Sequence, residues 1–245
     1  MKKDAGGEIM DLDQLAEKYA DWYQTDRGRY VGENEYRCLA RYIGDCEGKK
    51  IIEVGCGIGF FLIKFAVDAE ETVGFDLTEG MLKAGRKLVE EKGLKIKFVQ
   101  GDVKEGLPFP DKYFDIVYSN SMIEFIKDQD ELKKVLKEMW RILKPGGNFV
   151  IGVLNKESTW AYKRIAETLE NDTIFFQGKF YTWEELESIL LEFGDPYLES
   201  TLFVPPYFKR KEDFEWFKPL EEEFAARFPS RGALLVGSVV KKEDS

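Results

Sequence analysis

Gly55, Gly57 and Gly59 sit on alternate positions directly after the apolar run Ile51-Ile52-Glu53-Val54, and apolar residues resume at Phe60. That pattern reads as a buried strand, a tight turn and a helix start. Without a Cβ, such a turn lets a ligand lie against bare backbone. Asp76 closes the next apolar run, about 20 residues on, where a carboxylate can accept from ribose hydroxyls. Gly101-Asp102-Val103 follows a third run; Asp102 can accept from an exocyclic amine while Val103 packs on a flat base. Ser119-Asn120-Ser121 ends a fourth run as a polar cluster. Taken singly, Asp76, Asp102 and Ser119 also read as helix caps or turn residues. Taken together they form one edge. The spacing is Gly-x-Gly-x-Gly, not the Gly-x-Gly-x-x-Gly of dinucleotide sites, because position 60 is Phe.

These residues need a scaffold that gathers strand ends. The spacing predicts strands at 50–54, 72–76, 95–99, 114–119 and 148–154, with helices at 58–69, 78–92 and 129–143 between them. Lys144-Pro145-Gly146-Gly147 stops the last of these helices. The runs rich in Ile and Val suit a parallel sheet covered on both faces, hence a doubly wound α/β fold with ligands at the carboxyl ends of the strands. Two helices precede the sheet, over 9–23 (Ile9, Leu12, Leu15, Ala16, Tyr19, Trp22) and 33–43. After residue 154 come a helix at 157–170 carrying Trp160, Tyr162, Ile165 and Leu169, an aromatic stretch (Phe175, Phe176, Phe180, Tyr181), and a helix to about 193 opened by the capping box of Thr182 and Glu185. Late strands are expected at 197–204 and 233–241, flanking an aromatic insert with Pro205-Pro206, Tyr207, Phe208, Phe214, Trp216 and Phe217.

Composition narrows the chemistry. The 245 residues can bury a full core without staples. The formal charge of −10 and the lack of a basic block argue against a nucleic-acid partner. No apolar stretch is long enough to span a bilayer. Three scattered cysteines and no Cys-x-x-Cys point to free thiols in a reducing, cytoplasmic setting. Histidine is absent, which removes the commonest general base and the commonest metal ligand, so no metal is expected.

In order along the chain, Glu53-Val54-Gly55-Cys56-Gly57-Ile58-Gly59, Asp76, Gly101-Asp102-Val103, Phe114-Asp115-Ile116-Val117 and Leu143-Lys144-Pro145-Gly146-Gly147 resemble the motif set of class I S-adenosylmethionine-dependent methyltransferases, in their small-molecule branch and close to the quinone-biosynthesis type. The resemblance covers residues 50–154. It implies a seven-stranded, mostly parallel Rossmann-like sheet with an antiparallel last strand. It divides the chain into a helical cap (9–46), a cofactor core (50–154), substrate-side insertions (155–232) and the last strand (233–241), all within one domain. It also implies S-adenosyl-L-methionine as cofactor and S-adenosyl-L-homocysteine as product. Gly55, Cys56, Gly57 and Gly59 in the glycine loop would then meet the methionine part, Asp76 the ribose and Asp102 with Val103 the adenine, and Glu53, Leu77, Met81, Gly101, Ser119 and Asn120 would also bind the cofactor. Tyr19-Ala20-Asp21-Trp22-Tyr23 and Gly28-Arg29-Tyr30 resemble a lid segment, in which Tyr19 closes over the cofactor and Arg29 meets its carboxylate. Where quinone-type relatives carry Leu-Glu-His, this chain has Ile123-Glu124-Phe125.

Methyl transfer from a sulfonium asks mainly for orientation and a dry pocket. Trp160, Phe180, Tyr207 and Phe208 are the expected pocket, and Glu124 or Tyr181 the expected helpers in proton removal. Without histidine, the acceptor is expected to be a small molecule already nucleophilic or acidic: an amine, a thiol or an activated carbon acid. A monomer or homodimer is expected. The competing readings are a cofactor-binding partner subunit without activity, a nicotinamide dehydrogenase, and a methyltransferase acting on protein or nucleic acid. No Asn-Pro-Pro-Tyr-type tetrad follows the fourth strand, which reads Ser119-Asn120-Ser121-Met122.

Overall fold

The computed structural model describes residues 12–170 and 178–243. Ile9, Phe175 and Phe176 lie outside the described residues, as do the side chains of Leu12, Leu15 and Leu169. Two helices, α1 (Leu12–Gln24) and α2 (Asp26–Ile43), lead into β1 (Lys50–Val54), α3 (Leu62–Phe65), β2 (Glu71–Asp76), α4 (Glu79–Glu91) and β3 (Lys97–Gln100). Then come β4 (Phe114–Asn120), α5 (Gln129–Ile142), β5 (Leu143–Leu154), α6 (Thr159–Glu170), α7 (Trp183–Leu191), β6 (Tyr197–Thr201), α8 (Lys211–Arg227) and β7 (Leu234–Val240). The seven strands lie in the order β3-β2-β1-β4-β5-β7-β6, and only β7 runs antiparallel to its neighbours. This is the α/β sheet the motif order implies. The order reverses between β1 and β4, which opens a crevice at their carboxyl ends.

Strand alternation sorts the core into two layers. Ile52, Val54, Val73, Phe75, Val117, Phe149 and Ile151 pack on α5 and α7. Ile51, Ile116, Tyr118, Val150, Leu234 and Val236 face Cys38, Leu39 and Ile43 of α2. A third cluster around Trp160, Val204, Phe214 and Phe217 ties α6 and α8 to Val31 of α2.

Several elements depart from the expected pattern: α2 starts at Asp26 rather than 33, and β5 at Leu143 rather than 148. The helix after the glycine turn shrinks to Leu62–Phe65, because residues up to Phe61 stay in the turn, with Gly59 N–H donating to Cys56 O at 2.8 Å. The aromatic insert after β6 contains a full helix, α8, with Pro219 inside it. Proline and a weak apolar stripe hide that helix from a periodicity reading. The predicted capping box is present: Thr182 Oγ1 accepts from Glu185 N–H and the Glu185 carboxylate accepts from Thr182 N–H. Among the described residues no helix is long and apolar enough to cross a membrane, and Cys38, Cys46 and Cys56 are free and buried.

Candidate active site at the strand ends

The first wall of the crevice is made of backbone. Gly55 N–H and Cys56 N–H both donate to Phe75 O, at 2.7 and 3.1 Å, so β2 pins the turn after β1. Gly55 has φ +77°, and a Cβ there would overlap the Met122 side chain. Gly57 differs. At φ +52°, its missing Cβ points into space with no heavy atom within 4 Å. Gly57 N–H donates to Asp76 Oδ2 at 2.8 Å, and Thr78 N–H donates to Asp76 Oδ1 at 2.8 Å. A carboxylate accepts at about four lone-pair sites, so each oxygen of Asp76 keeps accepting capacity. Gly101 N–H reaches Asp76 O at 3.0 Å, which brings the third turn alongside. Asp102 Oδ1 accepts from Lys104 N–H at 2.9 Å and caps the 3₁₀ turn Val103–Glu105, while Val103 packs on the first core layer. Met81 is partly buried on α4; Leu77 is 62% exposed.

Beneath this wall lies an acid inside the core. Glu53 is buried, and its Oε2 accepts from Tyr118 OH at 2.8 Å. Burial pushes its carboxyl up to about 8; the Tyr118 hydrogen bond opposes that shift and the charge of Asp76 adds to it. Burial, with Glu53 and Asp76 nearby, also pushes the Cys56 thiol up, away from the reactive thiolate. From α1, Tyr23 stacks on Phe60 with ring centres 3.6 Å apart, and its hydroxyl lies 3.2 Å from that of Tyr19. Both hydroxyls feel the charges of Glu53 and of Glu35 on α2.

The second wall, at the ends of β4 and β5, is made of side chains. Ser119 and Asn120 are buried, and Ser119 Oγ and Asn120 Oδ1 have no hydrogen-bond partner among the described residues. Asn120 pairs in register with Gly152, whose lack of a Cβ leaves room for the Asn120 amide. Beyond Asn120 the chain turns at Ser121 (φ +55°) into the 3₁₀ turn Ile123–Phe125, which carries Glu124. Glu124 is 1% exposed; its Oε1 accepts from Leu154 N–H at 2.8 Å, a donor β4 no longer reaches. Its Oε2 has no partner among the described residues. Burial pushes the carboxyl up to about 7, against the Leu154 hydrogen bond and the charge of Arg164. Glu35, 7% exposed, is likewise pushed up to about 7 by burial, with Arg164 opposing and Glu124 adding. The Arg164 guanidinium lies 5.5 Å from the Trp160 ring centre.

The structure gathers Glu53, Gly55, Cys56, Gly57, Gly59, Asp76, Gly101, Asp102 and Val103 along the first three turns, with Ser119, Asn120 and Glu124 across the crevice. It does not bring Arg29 to them. Arg29 pairs with Asp26 at 2.6 Å and donates to Gln24 O at 2.5 Å, on an open cleft of about 780 Å³ whose walls include Tyr30, Lys64 and Phe214 but not Asp76 or Asp102. Tyr181 is fully buried and its hydroxyl donates to Ile123 O at 3.4 Å; burial pushes it far above the usual phenol range, so it packs rather than takes a proton. Tyr207 is 70% exposed. Trp160 is core and donates to Val204 O at 2.8 Å, Phe180 packs under α2, and Phe208 O accepts from Arg27 at 3.0 and 2.6 Å. Glu35, Tyr118 and Arg164 escape a sequence reading. The signal for Glu35 is a charge inside the buried stripe Val31, Gly32, Cys38 and Leu39 of α2.

Known proteins resemble this chain in sequence and in fold. Residues 52–151 match the methyltransferase domain family. An uncharacterized protein of Methanocaldococcus jannaschii is 29% identical over 190 residues, spanning 78% of this chain and 83% of that protein. The ubiquinone/menaquinone biosynthesis C-methyltransferase UbiE of Idiomarina loihiensis is 32% identical over 163 residues, spanning 60% of this chain and 63% of that enzyme. A Thermotoga maritima S-adenosylmethionine-dependent methyltransferase, described as a possible histamine N-methyltransferase, superposes with a TM-score of 0.67 at 22% identity, over 94% of this chain and 98% of that one. Residues 52–151 are thus a methyltransferase domain, set in the seven-stranded fold and motif order of the class I S-adenosylmethionine-dependent methyltransferases.

Proposed function

We propose that this crevice transfers the methyl group of S-adenosylmethionine to a small-molecule acceptor held at the β4–β5 edge. The observation that carries the reading is the open backbone at Gly57, tied by its N–H to Asp76. A Cβ would fill this cradle, so the site fits a ligand lying flat against the turn. Asp76 keeps acceptor capacity on both oxygens for a diol, and Asp102 and Val103 suit an amino-bearing flat base. Ser119 Oγ and Asn120 Oδ1, buried without partners among the described residues, offer acceptors to the polar end of such a molecule. In this reading the glycine turn holds the methionine part, Asp76 the ribose and Asp102 with Val103 the adenine.

S-adenosylmethionine, when bound, supplies a methyl group already activated on sulfur, whose leaving group is a neutral thioether. The chain therefore has to orient and to exclude water. Tyr23, stacked on Phe60, brings an apolar ring from α1 over the glycine turn, and Tyr118 packs beside Glu53 in the core below. A small acceptor is supported by the formal charge of −10 and by the small-molecule pathway in the name of the UbiE relative. The three free thiols suit a cytoplasmic setting. The test is transfer of isotopically labelled methyl from S-adenosylmethionine to a panel of amine, thiol, phenol and carbon-acid acceptors. Labelled product formed in step with S-adenosylhomocysteine supports the reading. Tight binding of the cofactor with no transfer to any class contradicts it and favours a partner subunit.

A further inference from the structure

The open cleft that holds Arg29 lies outside the crevice. It runs between α2 and α8 and along residues 58–64 and α4, with a volume of about 780 Å³, and neither Asp76, Asp102 nor Glu124 lines it. The whole chain carries a formal charge of −10, so an anion is repelled from most of its surface. The cleft reverses that balance. Its walls hold the cations Arg29, Arg37, Lys64, Lys92, Lys211 and Lys218 against the carboxylates Asp26, Glu33 and Glu215, an excess of three positive charges.

The pairing inside the cleft shows where that excess sits. Asp26 is taken by Arg29 at 2.6 Å. Glu33 is shared, 3.2 Å from Arg37 Nε and 3.5 Å from Lys64 Nζ, so one carboxylate faces two cations. Lys92, Lys211 and Lys218 have no ion pair among the described residues. The walls themselves are braced. Tyr30 of α2 stacks on Phe214 of α8 with ring centres 4.9 Å apart, and its hydroxyl donates to buried Glu221 at 2.9 Å. Glu221 also accepts from Phe203 and Val204 N–H, at 3.0 and 3.2 Å. A ligand therefore meets a wall already formed, which spares it the cost of ordering one. Tyr30, Phe60, Ile63, Leu88 and Phe214 give the same cleft an apolar lining between its cations.

We propose that this cleft binds a second small molecule, one that joins a phosphate monoester to an apolar body. A phosphate monoester carries about −1.5 to −2 charge near pH 7, which suits the excess better than a single carboxylate does. Lys211 and Lys218, exposed on α8, and Lys92, at the end of α4, carry their charges on flexible stems and can close on the phosphate oxygens. The apolar body then lies against Ile63, Leu88 and the Tyr30–Phe214 pair. A cationic amphiphile would be repelled, and a neutral one would gain nothing from the lysines. The site is separate from the methyl-transfer crevice and does not depend on that reading.

The test is calorimetric titration of the full chain with octyl phosphate, kept below its aggregation concentration, against inorganic phosphate, octyl glucoside and octyltrimethylammonium. The expected result is saturable one-to-one binding of octyl phosphate, roughly tenfold or more tighter than any of the three controls, and weakening as salt rises. The double variant Lys211→Gln, Lys218→Gln should weaken it roughly tenfold or more by removing two of the cations. Both lysines are exposed, so the fold is kept, and a thermal melt checks this. Lys137→Gln, on α5 and outside the cleft, should bind octyl phosphate within about twofold of wild type. No binding of octyl phosphate at millimolar concentration overturns the assignment. So does octyl glucoside binding as tightly, which would make the cleft merely apolar, or a double variant that binds as wild type does.

Discussion

The two walls of the crevice are built differently. The β1–β2 wall is backbone, with its donors paired: Gly55, Cys56, Gly57 and Thr78 all give their N–H groups to Phe75 O or to Asp76. The β4–β5 wall is side chain, and Ser119, Asn120 and Glu124 keep acceptors without partners among the described residues. The first is preorganised for one shape. The second stores electrostatic cost that a ligand can relieve. In the proposed function, a cofactor of fixed shape suits the first kind of wall and the methyl acceptor the second.

The sharpest way to break this contrast is a pair of glycine substitutions on the first wall. At Gly57 a side chain meets no atom of the protein and instead fills the cradle. Gly57→Val should lower affinity for S-adenosylhomocysteine by about 100-fold or more, while the left-handed φ costs only about 1–2 kcal/mol of stability. At Gly55 a Cβ overlaps Met122, so Gly55→Ala should cost stability, about 2–4 kcal/mol from overpacking and φ together. Calorimetry and chemical denaturation separate the two. Equal binding and stability losses in both variants would mean that the turn is merely structural.

Across the crevice, Glu124→Ala strips Leu154 N–H of its acceptor and should cost about 1–3 kcal/mol by denaturation. Glu124→Gln keeps an oxygen for that N–H and should be nearly neutral. A further effect follows from pH. Glu35, Glu53 and Glu124 have folded values raised from 4.5 to about 7, 8 and 7. The folded chain thus retains protons that the unfolded chain has released. The stability they contribute is fully present below about pH 4.5 and is lost as pH rises to about 8, by at most a few kcal/mol per group. Urea melts from pH 5 to pH 8, at fixed ionic strength, should show this decline, and Glu53→Gln should flatten it. The smallest effect is expected at Arg29. Its ion pair with Asp26 is exposed, so Arg29→Ala should change stability by under about 0.5 kcal/mol and leave S-adenosylhomocysteine binding intact. A clear loss of affinity would mean that α2 brings Arg29 to the cofactor when it binds.

The same contrast explains what the sequence reveals. Strand ends, glycine spacing, Asp76 and Asp102 are local features whose physics lies within a few residues of each other, so they are legible without a structure. The sheet follows from them because right-handed crossovers leave few topologies. The second wall depends on register. Glu35 stands 89 positions before Glu124 in the chain, and only the packing of α2 on the sheet, against β5 and β7, lets Glu35 feel the Glu124 charge. Tyr181 and Tyr207 look alike as aromatic candidates, yet one is fully buried and the other 70% exposed. Composition alone does not distinguish a core ring from a surface ring. The helix α8 stays hidden because Pro219, which removes a backbone donor and crowds the preceding turn, marks a break in a sequence reading, yet it lies inside Lys211–Arg227.

The central claim is that the bare turn at Gly57, braced by Asp76, receives an adenosyl thioether or sulfonium. Calorimetric titration of S-adenosylhomocysteine into the wild-type chain and into Asp76→Ala tests it directly. Saturable one-to-one binding by wild type, weakened by about 30-fold or more in Asp76→Ala through loss of charged hydrogen bonds, is the predicted result. No binding by wild type at millimolar ligand, or equal affinity in the two proteins, would contradict it.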